Sequence, residues 1–136
     1  MSAPVATHTA AYRQQSVMTA TPGQLVVMLY DGCLRFLHQG AYAMREGTRL
    51  QAHNRLGRAE AIIDELLSTL DLEQGGEIAT RLQGIYVFCR GHLLEARREQ
   101  DPDKVDTVAG LLGELREAFA TVAASEAVMS PLGEAG

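Results

Sequence analysis

The side chains able to do chemistry are few: His8, His38, His53, His92, Cys33, Cys89 and Asp31 come first. A di-iron site held by helices needs Glu-x-x-His pairs, and the residues three before the histidines are Val5, Arg35, Leu50 and Cys89. Cys89-x-x-His92 does set a thiol and an imidazole one helical turn apart. That is half of a zinc site, and no second pair at comparable spacing completes it. No metal and no other cofactor is expected. His92, in Arg90-Gly91-His92-Leu93-Leu94, also fits an alternative, a histidine phosphotransfer-like signalling bundle. The Lys-Gly that usually follows such a histidine is absent. Asp31, between Tyr30 and Gly32, is a lone carboxylate of the kind that hydrogen-bonds between helices. With no Ser/His/Asp arrangement, phosphate-binding glycine loop or nucleotide fingerprint, an enzyme is not expected.

The elements that would position these residues are helices. Thr21 can cap a helix with Gln24 closing the box, and Pro22 suits the first helical position. From there Leu25, Leu29, Gly32, Phe36 and Ala43 recur at helical spacing, widened by Met28, Cys33, Leu37, Gly40 and Met44, with Gly47 as a stop. A second helix is expected over 50–70, with Leu56, Ala59, Ile63, Leu66 and Leu70 on one face. Arg45, Arg49, Arg55 and Arg58 crowd the connection and read as a solvated face that Glu46 and Glu60 can share. Asp71–Gly76 reads as a loop, followed by a third helix over 77–99 whose stripe is Ile78, Leu82, Ile85, Cys89, Leu93 and Ala96. Asp101-Pro102 opens a fourth over 102–124, striped by Val105, Val108, Leu112, Leu115, Phe119 and Val122. Four amphipathic segments on short connections predict an all-α, antiparallel up-down-up-down four-helix bundle. The expected organisation is one domain over 1–136: a tail at 1–18, the bundle at 21–124, and a frayed C-terminus at 125–136.

Composition agrees and excludes several classes. The 136 residues are 46% hydrophobic and 21% charged, which suits a globular domain. Seventeen acids against twelve bases leave a formal charge of −5, and no basic block interleaves with aromatics, so nucleic acid is not an expected partner. No apolar run approaches the roughly 20 residues that span a bilayer, and no signal peptide is evident. A cytoplasmic location with two free core thiols, Cys33 and Cys89, is expected.

What remains is binding through apolar surface. Gly84, Val87, Gly91 and Leu94 form a second stripe on the third helix, rotated from its core stripe. Glycine costs about 1 kcal/mol relative to alanine in a helix interior, so two at this spacing suggest close approach of another helix, internal or foreign. Ile62 and Leu111 are similarly off-stripe, with Gly110 and Gly113 adding small residues on the fourth helix. In the tail, Tyr12 and Val17, with Gln15 between them, are anchors in an otherwise polar segment. Such a tail can dock on the bundle as a lid.

Ala11-Tyr12, Gln15, Ser16-Val17-x-Thr19-Ala20-Thr21-Pro22-Gly23-Gln24-Leu25, Met28-Leu29-Tyr30-Asp31-Gly32 and Phe36-Leu37 together resemble the N-terminal third of the FliS family of flagellar secretion chaperones. Ile62-Ile63, Leu66, Leu70-Asp71, Tyr86 and Leu93-Leu94-Glu95-Ala96 extend the likeness. Tyr12 falls on the family's characteristic tyrosine. The resemblance implies a cytoplasmic export chaperone that binds the C-terminal helical segment of flagellin around a helical bundle. It would prevent premature polymerisation and deliver its cargo to the flagellar type III export apparatus. On this reading the partner-binding residues are Tyr12, Gln15, Val17, Ile62, Gly84, Val87, Gly91, Leu94 and Leu111, and either a monomer or a weak homodimer fits.

Overall fold

Thr21 starts the first helix as its sequence demands. Its hydroxyl accepts from the Gln24 N–H at 3.1 Å while the Gln24 side-chain oxygen accepts from the Thr21 N–H at 2.9 Å. Both arms of the capping box are therefore closed, satisfying donors that a bare helix end leaves orphaned. The computed structural model of the chain describes residues 20–129. Within them lie four α-helices and no strand: α1 (Pro22–Glu46), α2 (Arg49–Ser68), α3 (Leu72–Glu99) and α4 (Pro102–Met129). None is long and apolar enough to cross a membrane.

The turn from α1 to α2 is tight because a second capping box follows at once. The Thr48 hydroxyl accepts from the Gln51 N–H at 3.1 Å, and the Gln51 side chain accepts from the Thr48 N–H at 3.0 Å. The chain between α2 and α3 is more ordered than a plain loop. Asp71 caps through Oδ1, accepting from the Glu73 and Gln74 N–H groups at 3.2 and 3.1 Å. Helical structure therefore begins at Leu72, five residues before the expected start. Gly76 interrupts it at φ 57°, ψ −134°, a conformation only glycine adopts freely. Gln100 ends α3 in the left-handed region, and Asp101 accepts from the Asp103 N–H at 3.0 Å to open α4.

α1 packs on α2 and α4 extensively, and α3 packs on the same two helices more sparsely. One core runs through all four: Tyr30, Cys33 and Leu37 from α1, Leu56, Ala59, Ile63 and Leu66 from α2, Tyr86, Cys89 and Leu93 from α3, and Val105, Val108 and Leu112 from α4. The α2 stripe is the expected one. On α1 the buried line is rotated, so that Tyr30 is fully buried while Leu29 and Phe36 are only partly covered and Leu25 is exposed. The reason is polar. The Tyr30 and Tyr86 hydroxyls hydrogen-bond to each other inside the core, so tyrosines can occupy core positions that the expected apolar stripes left out. Phe119 stacks on the Tyr30 ring at 5.4 Å between centroids.

Two stripe positions depart from expectation. Ile78 is 73% exposed, because α3 first meets the core one residue later, at Ala79. Val122 is exposed and Ala123 buried, so the last step of the α4 stripe after Phe119 is four residues instead of three. Close helix approach occurs at α1–α2, where a Cβ added at Gly40 would lie 2.8 Å from Leu56 Cγ. Ion pairs finish the surface: Arg45 with Asp103 and Asp106 and Arg90 with Asp64 are exposed, while Arg116 with Asp31 and Arg97 with Glu60 are partly buried. The exposed pairs are individually worth about 0–1 kcal/mol, so they orient the helices more than they stabilise them.

Candidate binding surface

Geometry retires the chemical candidates one by one. Cys33 and Cys89 are fully buried, and burial pushes their thiols up to about 12 and about 11. Thiols so raised stay protonated and are poor nucleophiles and ligands. His92 stacks on Phe88 with centroids 5.0 Å apart, and its Nδ1 lies 3.8 Å from a Glu95 carboxylate oxygen. The Lys104 ammonium hydrogen-bonded to Glu95 holds that carboxyl below its usual range. His92 is thus held by a ring contact and by a carboxylate that Lys104 already neutralises. Asp31 accepts from Arg116 at 2.8 Å, an interhelical role. No group of three or more His, Cys, Asp or Glu able to hold a metal occurs among the described residues.

The outward face of α3 is different. Val87 is 57% and Leu94 60% exposed, and Phe88 beside them is about half exposed. A Cβ built at Gly84 or Gly91 would meet nothing within 4 Å. No described helix of this chain approaches these glycines, so internal close packing does not account for them. Arg90 and Arg97 flank the face and are tied to Asp64 and Glu60 of α2. The remaining expected residues are not joined to it. Ile62 is half-buried at the α1–α2 contact, with its Cδ1 3.4 Å from a Cβ built at Gly32, and Leu111 packs partly buried against the core from α4. Gly110 and Gly113 also face open space. Tyr12, Gln15 and Val17 lie outside the described residues.

Sequence reasoning missed a second apolar feature. A hollow of about 750 Å³ opens at the start of α1, lined by Leu25, Val26, Met28 and Leu29, with Asp31, Arg35 and Glu65 at its polar edge. The signal was present in the run Leu25-Val26-Val27-Met28-Leu29, which carries more hydrocarbon than one core stripe can bury. Pro22 also lines this hollow, which therefore lies where residues 1–19 join the helix.

Comparison with known proteins points the same way. A family model described as "Flagellar protein FliS" matches residues 5–126. A protein of Bacillus subtilis named flagellar secretion chaperone FliS is 34% identical over 116 residues, covering 85% of this chain and 86% of its own length. Its namesake from Salmonella typhimurium is 36% identical over 107 residues, covering 78% and 79%. The one from Vibrio cholerae is 35% identical over 113 residues, covering 80% and 83%. The chain belongs to the FliS family of flagellar secretion chaperones, which are chaperones and not enzymes.

Proposed function

We propose that this protein is a cytoplasmic export chaperone for flagellin, holding the C-terminal helical segment of its cargo and delivering it to the flagellar type III export apparatus. The observation that carries this reading is the outward face of α3, where Gly84, Val87, Gly91 and Leu94 present hydrocarbon and open space side by side. A helix of flagellin can approach closely at the glycines and bury its apolar face against the two aliphatic side chains. Ordering that segment costs about 2–5 kcal/mol, which favours an extended contact reaching Ile62 and Leu111 as well. The relatives' shared name, flagellar secretion chaperone, supports the export role.

The arrangement proposed to carry this face is the antiparallel up-down-up-down bundle, one domain over the whole chain. It is supported by the ion pairs of α1 with α4, in which Arg45 late in α1 meets Asp103 early in α4 and Asp31 early in α1 meets Arg116 late in α4. Either a monomer or a weak homodimer is compatible with it.

Calorimetric titration with a flagellin C-terminal peptide tests the proposal. Val87→Glu and Leu94→Glu should each weaken binding about tenfold or more, since a carboxylate pressed against apolar surface has no counter-ion. Both side chains are exposed in the unloaded protein, so helicity by circular dichroism should be unchanged. Undiminished affinity in both variants would place the cargo elsewhere.

Tyr12, Gln15 and Val17 enter the same proposal as a lid over the hollow at the start of α1. A lid lowers apparent affinity in proportion to the fraction of time the groove is closed. Removing residues 1–18 should therefore tighten peptide binding, as should Tyr12→Ala. Weaker binding in both would instead make Tyr12 a cargo contact.

A further inference from the structure

We infer that the outer face of the α1–α2 hairpin is a second docking surface, built for an acidic segment of another protein. It is separate from the apolar face of α3 and does not depend on it.

The first observation is a segregation of charge. The chain carries seventeen acids and twelve bases, yet residues 32–59 hold five arginines, two histidines and a single carboxylate, Glu46. The second is how those arginines are placed. Among the described residues, Arg45, Arg81, Arg90, Arg97, Lys104 and Arg116 each have a carboxylate within 4 Å. Arg35, Arg49, Arg55, Arg58 and Arg98 have none among the described residues, and four of these five belong to the hairpin.

α2 shows how the separation is maintained. Glu60 and Asp64 turn toward α3, where Arg97 and Arg90 neutralise them. Arg58 turns toward α1 and lies over the Phe36 ring with its guanidinium carbon 5.8 Å from the centroid, and Arg35 lies over the same ring at 5.9 Å. Stacking of this kind holds a guanidinium in place while leaving its N–H groups outward. Arg55 shares a concavity of about 440 Å³ with His38, Gln39, Tyr42 and Gln51. Tyr42 stands 66% exposed in it, an aromatic body beside cations. Guanidiniums without carboxylates, held over an aromatic ring and next to a second one, form a receptor for carboxylates presented by a folded or helical segment.

The chain does not supply its own occupant. Residues 1–19 contain no Asp or Glu, and residues 126–136 contain only Glu126 and Glu134. The occupant proposed is therefore a partner in trans. A protein segment fits better than a long polyanion or an anionic membrane, because the basic face is short and the chain as a whole carries a net charge of −5. An extended phosphate surface would run from the arginines onto like charge, whereas an acidic stretch a few turns long matches the face.

Fluorescence titration of the full chain tests this with a labelled helical peptide of roughly 20 residues bearing glutamates at i, i+4 spacing, and with its glutamine counterpart. The acidic peptide should bind, weaken as salt rises to about 150 mM, and outcompete both oligo-dT and phosphatidylserine vesicles. Arg55→Glu combined with Arg58→Glu should weaken it about tenfold, while Arg98→Glu leaves it unchanged. Arg35→Gln combined with Arg55→Gln should act in the same direction, and serves if the charge reversal disturbs folding. The inference fails if Arg98→Glu costs as much, if the glutamine peptide binds equally, or if oligonucleotide or vesicle wins the competition. It also fails if the hairpin proves to bind a second copy, seen as self-association by light scattering that Arg55→Glu with Arg58→Glu abolishes.

Discussion

Leu56→Ala should lower the unfolding free energy by about 2–5 kcal/mol. Leu56 is fully buried, and its side chain fills the space left by the missing side chain of Gly40 across the α1–α2 contact. The reverse change is costly for the same reason. A methyl at Gly40 would sit 2.8 Å from Leu56 Cγ, closer than real Cβ contacts allow, so Gly40→Ala should cost about 1–3 kcal/mol through overpacking. Together the two changes should cost less than their sum, because alanine at position 40 takes up part of the cavity left at position 56. Urea titration of both single variants and the double variant measures this directly. Strict additivity, or a loss below about 1 kcal/mol for Leu56→Ala, would mean that the two helices do not meet at this point.

The second large effect lies at the Tyr30–Tyr86 pair. Burial raises both phenols above their usual range, so they stay neutral and each hydroxyl depends on the other for a partner. Tyr86→Phe should leave the Tyr30 hydroxyl buried and unsatisfied, at a cost of about 1–3 kcal/mol, and Tyr30→Phe should do the same to Tyr86. Replacing both removes the unsatisfied group altogether, so the double variant should be close to wild type in stability. Neutral single variants would show that water reaches the pair. The pair joins α1 to α3, which are not among the extensively packed helix pairs, so it also fixes the register between them.

Those tyrosines mark where periodicity stopped being a guide. The caps were legible because their chemistry is local: Thr21 with Gln24, and Asp101 before Pro102, are read from neighbouring residues alone. Thr48 with Gln51 carried the same signature and went unread behind the more conspicuous Gly47. The α2 stripe was legible because its polar and apolar positions separate cleanly. In α1 nearly every position from Leu25 to Leu37 is apolar or small, so the direction of the core depended on a hydrogen bond to a residue fifty-six positions away. Helix ends misled for another reason, since Ile78 and Val122 keep the period where there is little core left to cover them. Of the proposed binding residues, Gly84, Val87, Gly91 and Leu94 could be grouped from spacing, because one helix face is a local property. The hollow at the start of α1 and the arginine face across α1 and α2 depend on which helices lie side by side.

The sparse packing of α3 has a consequence for how stability is distributed along the chain. Its interior holds Gly84 and Gly91, each raising the entropy recovered when the helix opens, and none of the described helices restrains its outer face. Of the four helices it is the one whose amides should reach solvent through the smallest opening, well before the core unfolds. A partner laid along that face closes the opening from outside. Capture of the cargo would thus also stiffen the chaperone, and release would return α3 to its looser state.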